Sequence, residues 1–200
     1  MIQVFTQIIN DTWLAVACTE QIFASSFADT EQKVMSKLLD KLPFNVPLHF
    51  LSSPSACAKD AFSSMAAILK GKKVKSTPNL AMDNLPKYTV MVLKAVMQIP
   101  LGYVSTYGAV AKAVGGGSRA VGNIMAGNIF VPFIPCHRVV RADLSLGGYG
   151  GGLKAKHQLL MKEKQSYLKS KKVLVENGGV LQVYPVETTL DNVSKIFSLP

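Results

Sequence analysis

The hydrophobic period of this chain switches at Asp29, and that switch limits what the chain can fold into. Before it, apolar and polar residues alternate through Val4-Phe-Thr-Gln-Ile-Ile9, across a turn at Asn10-Asp11, and again through residues 13–18 and 21–27. Period two marks strands with one buried face, so the three runs predict a small antiparallel sheet. After Asp29, the residues Val34, Leu38, Leu39 and Leu42 recur every three to four positions behind Thr30, a residue suited to capping. A helix is therefore expected, ended by Pro43 and Pro47. A second helix is predicted behind Ser53-Pro54, through Ala58, Phe62, Met65, Ala66 and Leu69 to Gly71. The Lys-rich stretch 72–84 reads as a linker.

Beyond the linker, Leu85-Pro86 opens a helix that runs through Tyr88, Val92, Leu93, Val96 and Met97 to Pro100, with a turn at Leu101-Gly102. A short helix follows from a Ser105 or Thr106 cap to Val114. Gly115-Gly-Gly117 breaks it, and Ser118 caps the next helix, residues 119–127. Helix, glycine turn, helix is the helix-turn-helix arrangement, although plain helical hairpins use such turns too. Ala120, Gly122, Ala126 and Gly127 cost helix propensity but let the backbone come close to a groove or to another helix. Arg119, at the start of that helix, can reach a phosphate or enter a base stack.

Charge decides between a DNA partner and a structural hairpin. The net charge is +10 over 200 residues, and it is not spread evenly. Residues 86–164 hold 10 Lys or Arg against only Asp143 and Glu163, whereas the flanking segments are each near balance. A phosphate-backbone partner suits such a segment. No apolar run approaches the roughly 18 residues of a membrane span. Residues 1–20 lack the Lys or Arg of a signal peptide, so an intracellular, cytoplasmic protein is expected. Cys18, Cys57 and Cys136 are too few and too scattered for a disulfide scaffold. With His49 they show no metal-ligand spacing, and no metal is predicted.

The chemistry concentrates around Ile134-Pro-Cys-His-Arg-Val-Val140. Thiolate is the nucleophilic form of cysteine, and neighbouring imidazole and guanidinium groups favour it. Cys136 has both beside it, yet a buried core thiol would fit the apolar segment equally. The loop Leu146-Gly-Gly-Tyr-Gly-Gly-Gly-Leu153 can serve as phosphate cradle, hinge or pocket wall, but lacks the Lys-Ser/Thr of a P-loop. It leads into a basic helix, residues 154–163, whose one acid is Glu163. As the orienting partner of His137, Glu163 would complete a Cys–His–Glu relay.

Taken in order, Gly102-Tyr-Val-Ser-Thr-Tyr107, Ser118-Arg-Ala-Val-Gly122, Gly127-Asn128, Ile134-Pro-Cys-His-Arg-Val139, Tyr149-Gly-Gly-Gly-Leu153 and Leu159-Leu-Met-Lys-Glu163 resemble the O6-alkylguanine-DNA alkyltransferases, also called methylated-DNA–protein-cysteine methyltransferases. The resemblance runs from about Pro86 to Lys164. It implies a single-turnover enzyme without cofactor, which flips the damaged nucleotide from duplex DNA and takes its alkyl group onto cysteine. Cys136 is then the acceptor, with His137 its base through a water and Glu163 orienting His137. Tyr107 donates to guanine N3, and the Cys136 and Val139 carbonyls accept from the exocyclic amine. The Gly150 N–H donates to O6, Tyr149 and Met125 line the pocket, and Asn128 braces the helix pair against the active segment. Ser118, Arg119, Ala120, Gly122 and Asn123 meet DNA, with Arg119 filling the gap left by the flipped base. The family often has Ser at Gly150, and many members have Arg at Ala126 and Pro at Ile129. The role at Gly150 survives, since it belongs to the backbone N–H, whereas the departures at Ala126 and Ile129 predict weaker groove contact or an altered pocket wall.

The expected fold is thus an α/β N-terminal domain over residues 1–84, a small antiparallel sheet with helices that ends in the linker. A mainly α, winged-helix-like domain with helix-turn-helix follows over 85–164, and 165–200 extends it with a β-hairpin turning at Asn177-Gly178. The expected partner is double-stranded DNA containing O6-alkylguanine, met by a monomer with no membrane. A non-catalytic sensor of alkylated DNA is the first alternative, and a cysteine hydrolase built on Cys136, His137 and Glu163 the second.

Overall fold

The computed structural model describes residues 1–43, 45–74 and 77–197. Their contacts group into two compact units: residues 1–69, 73–84 and 128–133 form the first, and the rest of the described chain the second.

In the first unit, β1 (Ile2–Ile9), β2 (Thr12–Cys18) and β3 (Ile22–Ala28) make the expected antiparallel meander. Asn10 and Asp11 join β1 to β2 with φ of 49° and 58°. Two consecutive left-handed residues are what a tight hairpin turn needs, and Asn and Asp tolerate them. Leu14 through Cys18 are all fully buried, so both faces of β2 are covered. Helix α1 (Glu31–Leu39) covers one face, with Val34 and Leu38 against Ala15 and Ala17. Helix α2 (Ala56–Leu69) also packs on β2 and β1. Thr30 caps α1 by accepting from Lys33 N, but the helix stops at Leu39, short of the expected Leu42.

The sequence reading missed β4 (Leu48–Phe50), which pairs parallel with β1. Three residues are too few to show a period. The expected linker is partly tied down, since Ile22 N donates to Asn79 O and Ala81 N to Ile22 O. Residues 128–133 return to this unit, where Ser25 N donates to Ile129 O at 2.9 Å and Ser25 Oγ to Val131 O at 2.9 Å.

The second unit begins with α3 (Lys87–Met97), for which Pro86 supplies the cap position. Strand β5 (Tyr103–Thr106) and α4 (Tyr107–Val114) then follow without a break. Thr106 caps α4 by accepting from Ala109 N, while Ser105 lies inside the strand and its hydroxyl donates to Gln182 O. Helix α5 (Ser118–Ala126) follows the glycine turn. The cap position belongs to Gly117 and carries no side-chain bond, so Ser118 is the first helical residue and not the expected cap.

After α5 come a 3-10 turn (Cys136–Arg138), β6 (Val139–Val140), α6 (Leu153–Lys162), β7 (Lys171–Leu174), β8 (Val180–Pro185) and α7 (Val186–Phe197). The unit therefore contains more sheet than expected: one four-stranded sheet in the order β6-β5-β8-β7, with β5 and β6 parallel. The expected hairpin forms as β7 and β8. Its loop closes by Val175 N donating to Gly179 O, wider than a two-residue Asn-Gly turn. Val104, Val140, Leu160, Val186, Leu190 and Val193 make one hydrophobic cluster of the unit. Among the described residues no helix is long and apolar enough to cross a membrane.

Candidate active site

The parallel ladder of β5 and β6 organises the site, because Ser105 pairs with Val139 and Thr106 with Val140. Each strand meets a candidate site residue at once: β5 runs into Tyr107, and β6 leaves the turn that carries Cys136, His137 and Arg138. That turn is closed by Cys136 N donating to Ile134 O at 2.8 Å and Arg138 N to Pro135 O at 2.9 Å. Cys136 is 5 % exposed, and the His137 side chain behind it 1 %.

Glu163, at the end of α6, receives both residues that follow Cys136. His137 Nε2 lies 2.9 Å from Glu163 Oε1. Arg138 grips the same carboxylate with Nε on Oε2 and a second guanidinium N–H on Oε1, each at 2.8 Å, and spends a third N–H on Ile99 O at 2.7 Å. Two-pronged Arg–carboxylate pairs of this kind fix geometry as well as charge. Burial opposes ionisation of Glu163, yet His137 and Arg138 hold its carboxyl down at about 2. Burial pushes His137 below its usual range, with Arg138 and Lys156 adding to the effect and Glu163 resisting it. Glu163 is then the anion and His137 the neutral partner. The hydrogen-bond pattern assigns the proton to Nε2, which donates to Glu163, and leaves the lone pair on Nδ1. Nδ1 is buried and has no hydrogen-bond partner among the described residues.

Three more groups close on the sulfur. Tyr107 and Tyr149 are both pushed up, first by burial and then by Cys136; Tyr149 is the more deeply enclosed. Lys156 is pushed down to about 8 by burial, against the pull of Cys136. Its ammonium donates to Val139 O at 2.6 Å and to Gly148 O at 3.2 Å, tying the glycine loop to β6. Tyr107 Oη donates to the same Gly148 O at 3.4 Å. A Cβ on Gly151 would come within 2.8 Å of the Tyr149 ring, so a larger residue there would displace that ring. An open cavity of about 810 Å³ lies beside the loop between Arg141, Leu146, Tyr149, His157 and Val193, and Cys136 is not on its lining.

Sequence reasoning missed Lys156, and it read Arg138 only as a neighbour of Cys136, not as the partner of Glu163. Lys156 sat in a run that reads as a solvated basic face, but it is fully buried. Its spacing of three, four and seven residues from Leu159, Leu160 and Glu163 places it on the inward face of α6. The other expected residues are more spread out. Gly150 is exposed on the loop, and Asn128 is buried, its Oδ1 accepting from Phe130 N at 3.0 Å. On α5, Ser118, Arg119, Ala120 and Asn123 are exposed, whereas Met125 is buried with Val121 on the opposite face. A Cβ on Gly122 would meet nothing within 4 Å.

The unit thus holds a buried cysteine backed by a His–Glu–Arg network, together with an exposed helix pair. Residues 87–165 match the 6-O-methylguanine DNA methyltransferase DNA-binding domain. A methylated-DNA–protein-cysteine methyltransferase of Methanothermobacter thermautotrophicus is 38 % identical over 113 residues, which are 56 % of this chain and 64 % of that protein. One from Pyrobaculum aerophilum is 48 % identical over 68 residues, 34 % of this chain and 46 % of its own length. The chain thus spans less than two thirds of these curated relatives. Among solved structures, the O6-methylguanine-DNA methyltransferase of Pyrococcus kodakaraensis superposes with a TM-score of 0.63 at 25 % identity, over 82 % of this chain and 99 % of the other. The Mycobacterium tuberculosis O6-methylguanine methyltransferase gives 0.62 at 27 %, over 84 % and 96 %. The resemblance read from the motifs is found again in these relatives.

Proposed function

We propose that this chain repairs alkylated DNA by moving the alkyl group from O6 of guanine to Sγ of Cys136, once per molecule. The observation that carries the reading is the buried His137–Glu163–Arg138 network directly behind Cys136, inside a segment that matches the methyltransferase DNA-binding domain. His137 Nδ1 takes the thiol proton through a water, and the imidazolium so formed is stabilised by Glu163. Sγ attacks the alkyl carbon, the carbon–O6 bond breaks, and the electron pair leaves with guanine. Tyr107 turns its single O–H from the long contact with Gly148 O to N3, where it offsets the charge that develops on the base. The Gly150 N–H donates to O6, and Tyr149 and Met125 wall the pocket. The Cys136 and Val139 carbonyls accept from the exocyclic amine; Val139 O keeps a lone pair for it beside the Lys156 bond.

In the same reading α4, the glycine turn and α5 are the helix-turn-helix of a winged-helix-like unit. Ser118, Arg119, Ala120, Gly122 and Asn123 face the duplex, and Arg119 fills the gap left by the flipped base. The open space around Gly122 supports this, since nothing inside the protein requires a residue that small. Asn128 braces the segment that leads to Cys136, and the protein acts as a monomer on duplex DNA containing O6-alkylguanine.

Intact-mass measurement after incubation with a duplex carrying one O6-methylguanine tests the proposal. One methyl group should be gained per molecule, and none by Cys136→Ala. Tight binding to the lesion with no gain in mass would replace the transferase with a sensor of alkylated DNA. Repeated turnover of a small substrate without DNA would mark a hydrolase instead.

A further inference from the structure

The alkyl-transfer site uses nothing from residues 165–197, yet this segment is built into the second unit. Strand β8 lies between β5 and β7, and β7 is the outer edge of the sheet. The chain order α3, β5, α4, α5 and then β7, β8, with β8 pairing back onto β5, is that of a winged helix whose hairpin is the wing.

Alternation gives the hairpin two faces. Leu181 and Val183 point inward and are fully buried. Lys171 shares their face at the edge, where its ammonium sits 4.3 Å above the Tyr103 ring. Lys172, Leu174, Val180 and Gln182 point outward; Leu174 is 73 % and Val180 47 % exposed. Lys169 is exposed just before β7, and no acid occurs from Lys164 to Val175. The tip of the hairpin is anchored. Asn177 Nδ2 donates to Ala113 O at 3.2 Å, at the end of α4, and Glu176 pairs with Lys94 of α3 at 2.9 Å. The hairpin is therefore held against the helix that leads into the glycine turn, at a fixed place relative to α5.

We propose that β7 and β8 form a DNA-contacting wing. Lys169 and Lys172 neutralise backbone phosphates beside the stretch of duplex that α5 engages, and Leu174 and Val180 rest against its sugars. The inference rests on the reading of α4 and α5 as a DNA-binding pair. Charge complementarity selects the occupant: a solvated positive face with two apolar side chains in its middle suits the polyanionic, partly apolar wall of a groove. Lysines on an edge strand also block unwanted sheet pairing, but a charge of either sign does that.

The test is the binding of the full chain to an undamaged duplex between 50 and 200 mM salt. It compares the wild type with the double variants Lys169→Gln/Lys172→Gln and Lys169→Glu/Lys172→Glu; Lys171 is kept for its contact with Tyr103. Each phosphate contact contributes about −0.9 to the slope of log affinity against log salt, so the Gln pair should flatten the slope by about 2. The affinity lost across that salt range then shrinks by about tenfold. The Glu pair should bind more weakly still, with both variants keeping the wild-type melting temperature. An unchanged slope, or wild-type affinity in the Glu pair, overturns the wing. Reaction of Cys136 with free O6-benzylguanine should be the same in all three proteins, since no DNA is involved. Absence of that reaction, and of methyl transfer from DNA, in the wild type would remove the proposed function while the salt slope still reads the wing. No binding of the wild type to DNA would overturn the wing as well.

Discussion

At the scale of single residues, the site is governed by one carboxylate with two partners. Glu163 has a folded pKa of about 2 against an ordinary 4.5, so the stability it contributes is complete above 4.5 and is lost as pH falls towards 2. The difference corresponds to roughly 3 kcal/mol. His137 acts in the same direction. Its folded pKa lies below the ordinary 6.5, so the unfolded chain takes up the proton first and stability drains away as pH falls below 6.5. Urea unfolding followed from pH 7 to pH 3 should therefore show a steady acid loss. Glu163→Gln should be less stable at pH 7 by about 3–5 kcal/mol, because Arg138 is left facing a neutral amide. Its stability should also depend less on pH below 4.5. A variant whose pH dependence matched the wild type would show that Glu163 is not the titrating anchor. The sequence pointed to Cys136, His137 and Glu163 because two are adjacent and the third is a lone acid in a basic helix. Lys156 was hidden because its burial depends on where the glycine loop and β6 meet, and the pairing of Arg138 with Glu163 because it joins residues 25 apart, which no local spacing encodes.

At the scale of elements, α5 carries a tension between helix stability and close approach. Glycine inside a helix costs up to about 1 kcal/mol relative to alanine, and a Cβ at Gly122 has open space around it. Gly122→Ala should therefore raise the unfolding free energy by about 0.5–1 kcal/mol while weakening duplex binding. A gain in stability with unchanged DNA affinity would show that α5 does not lie close against the groove. Arg119→Ala separates extraction of the base from chemistry. It should slow methyl transfer from duplex DNA far more than reaction with free O6-benzylguanine, and equal losses on both would remove the role of Arg119 in holding the flipped state. Element by element, the sequence was legible where a period had room to repeat. Strands β1 to β3 and helices α1 to α5 all ran long enough, or sat between glycine and proline breaks. Strands β4, β5 and β6 span three, four and two residues, and β5 passes into α4 without a turn, so none was read as a strand. Helix α7 did have a signal, in Val186, Leu190 and Val193 at helical spacing directly behind Pro185, and the sequence reading did not take it up.

For the second unit as a whole, the question is whether residues 165–197 are an appendage or part of the fold. The sheet order answers in structural terms. β5, which delivers Tyr107 to the site, is flanked by β6 on one side and β8 on the other, and Val186 N donates to Gly102 O just ahead of β5. Glu187 Oε1 accepts from the Gln165 and Ser166 amides, fixing the chain two residues beyond Glu163. Removing support from β8 should therefore loosen the strand that positions the site. Leu181→Ala tests this, because Leu181 is fully buried on the inner face of β8, and such truncations cost roughly 2–5 kcal/mol where the cavity cannot collapse. Hydrogen exchange is the informative measurement, since it reports each strand separately. The β5 amides of Tyr103 to Thr106 should lose protection together with those of β8, whereas β1 to β3 in the first unit should keep theirs. Loss confined to β7 and β8, with β5 still protected, would mean that the C-terminal segment unfolds on its own. The alkyl-transfer site would then stand without it.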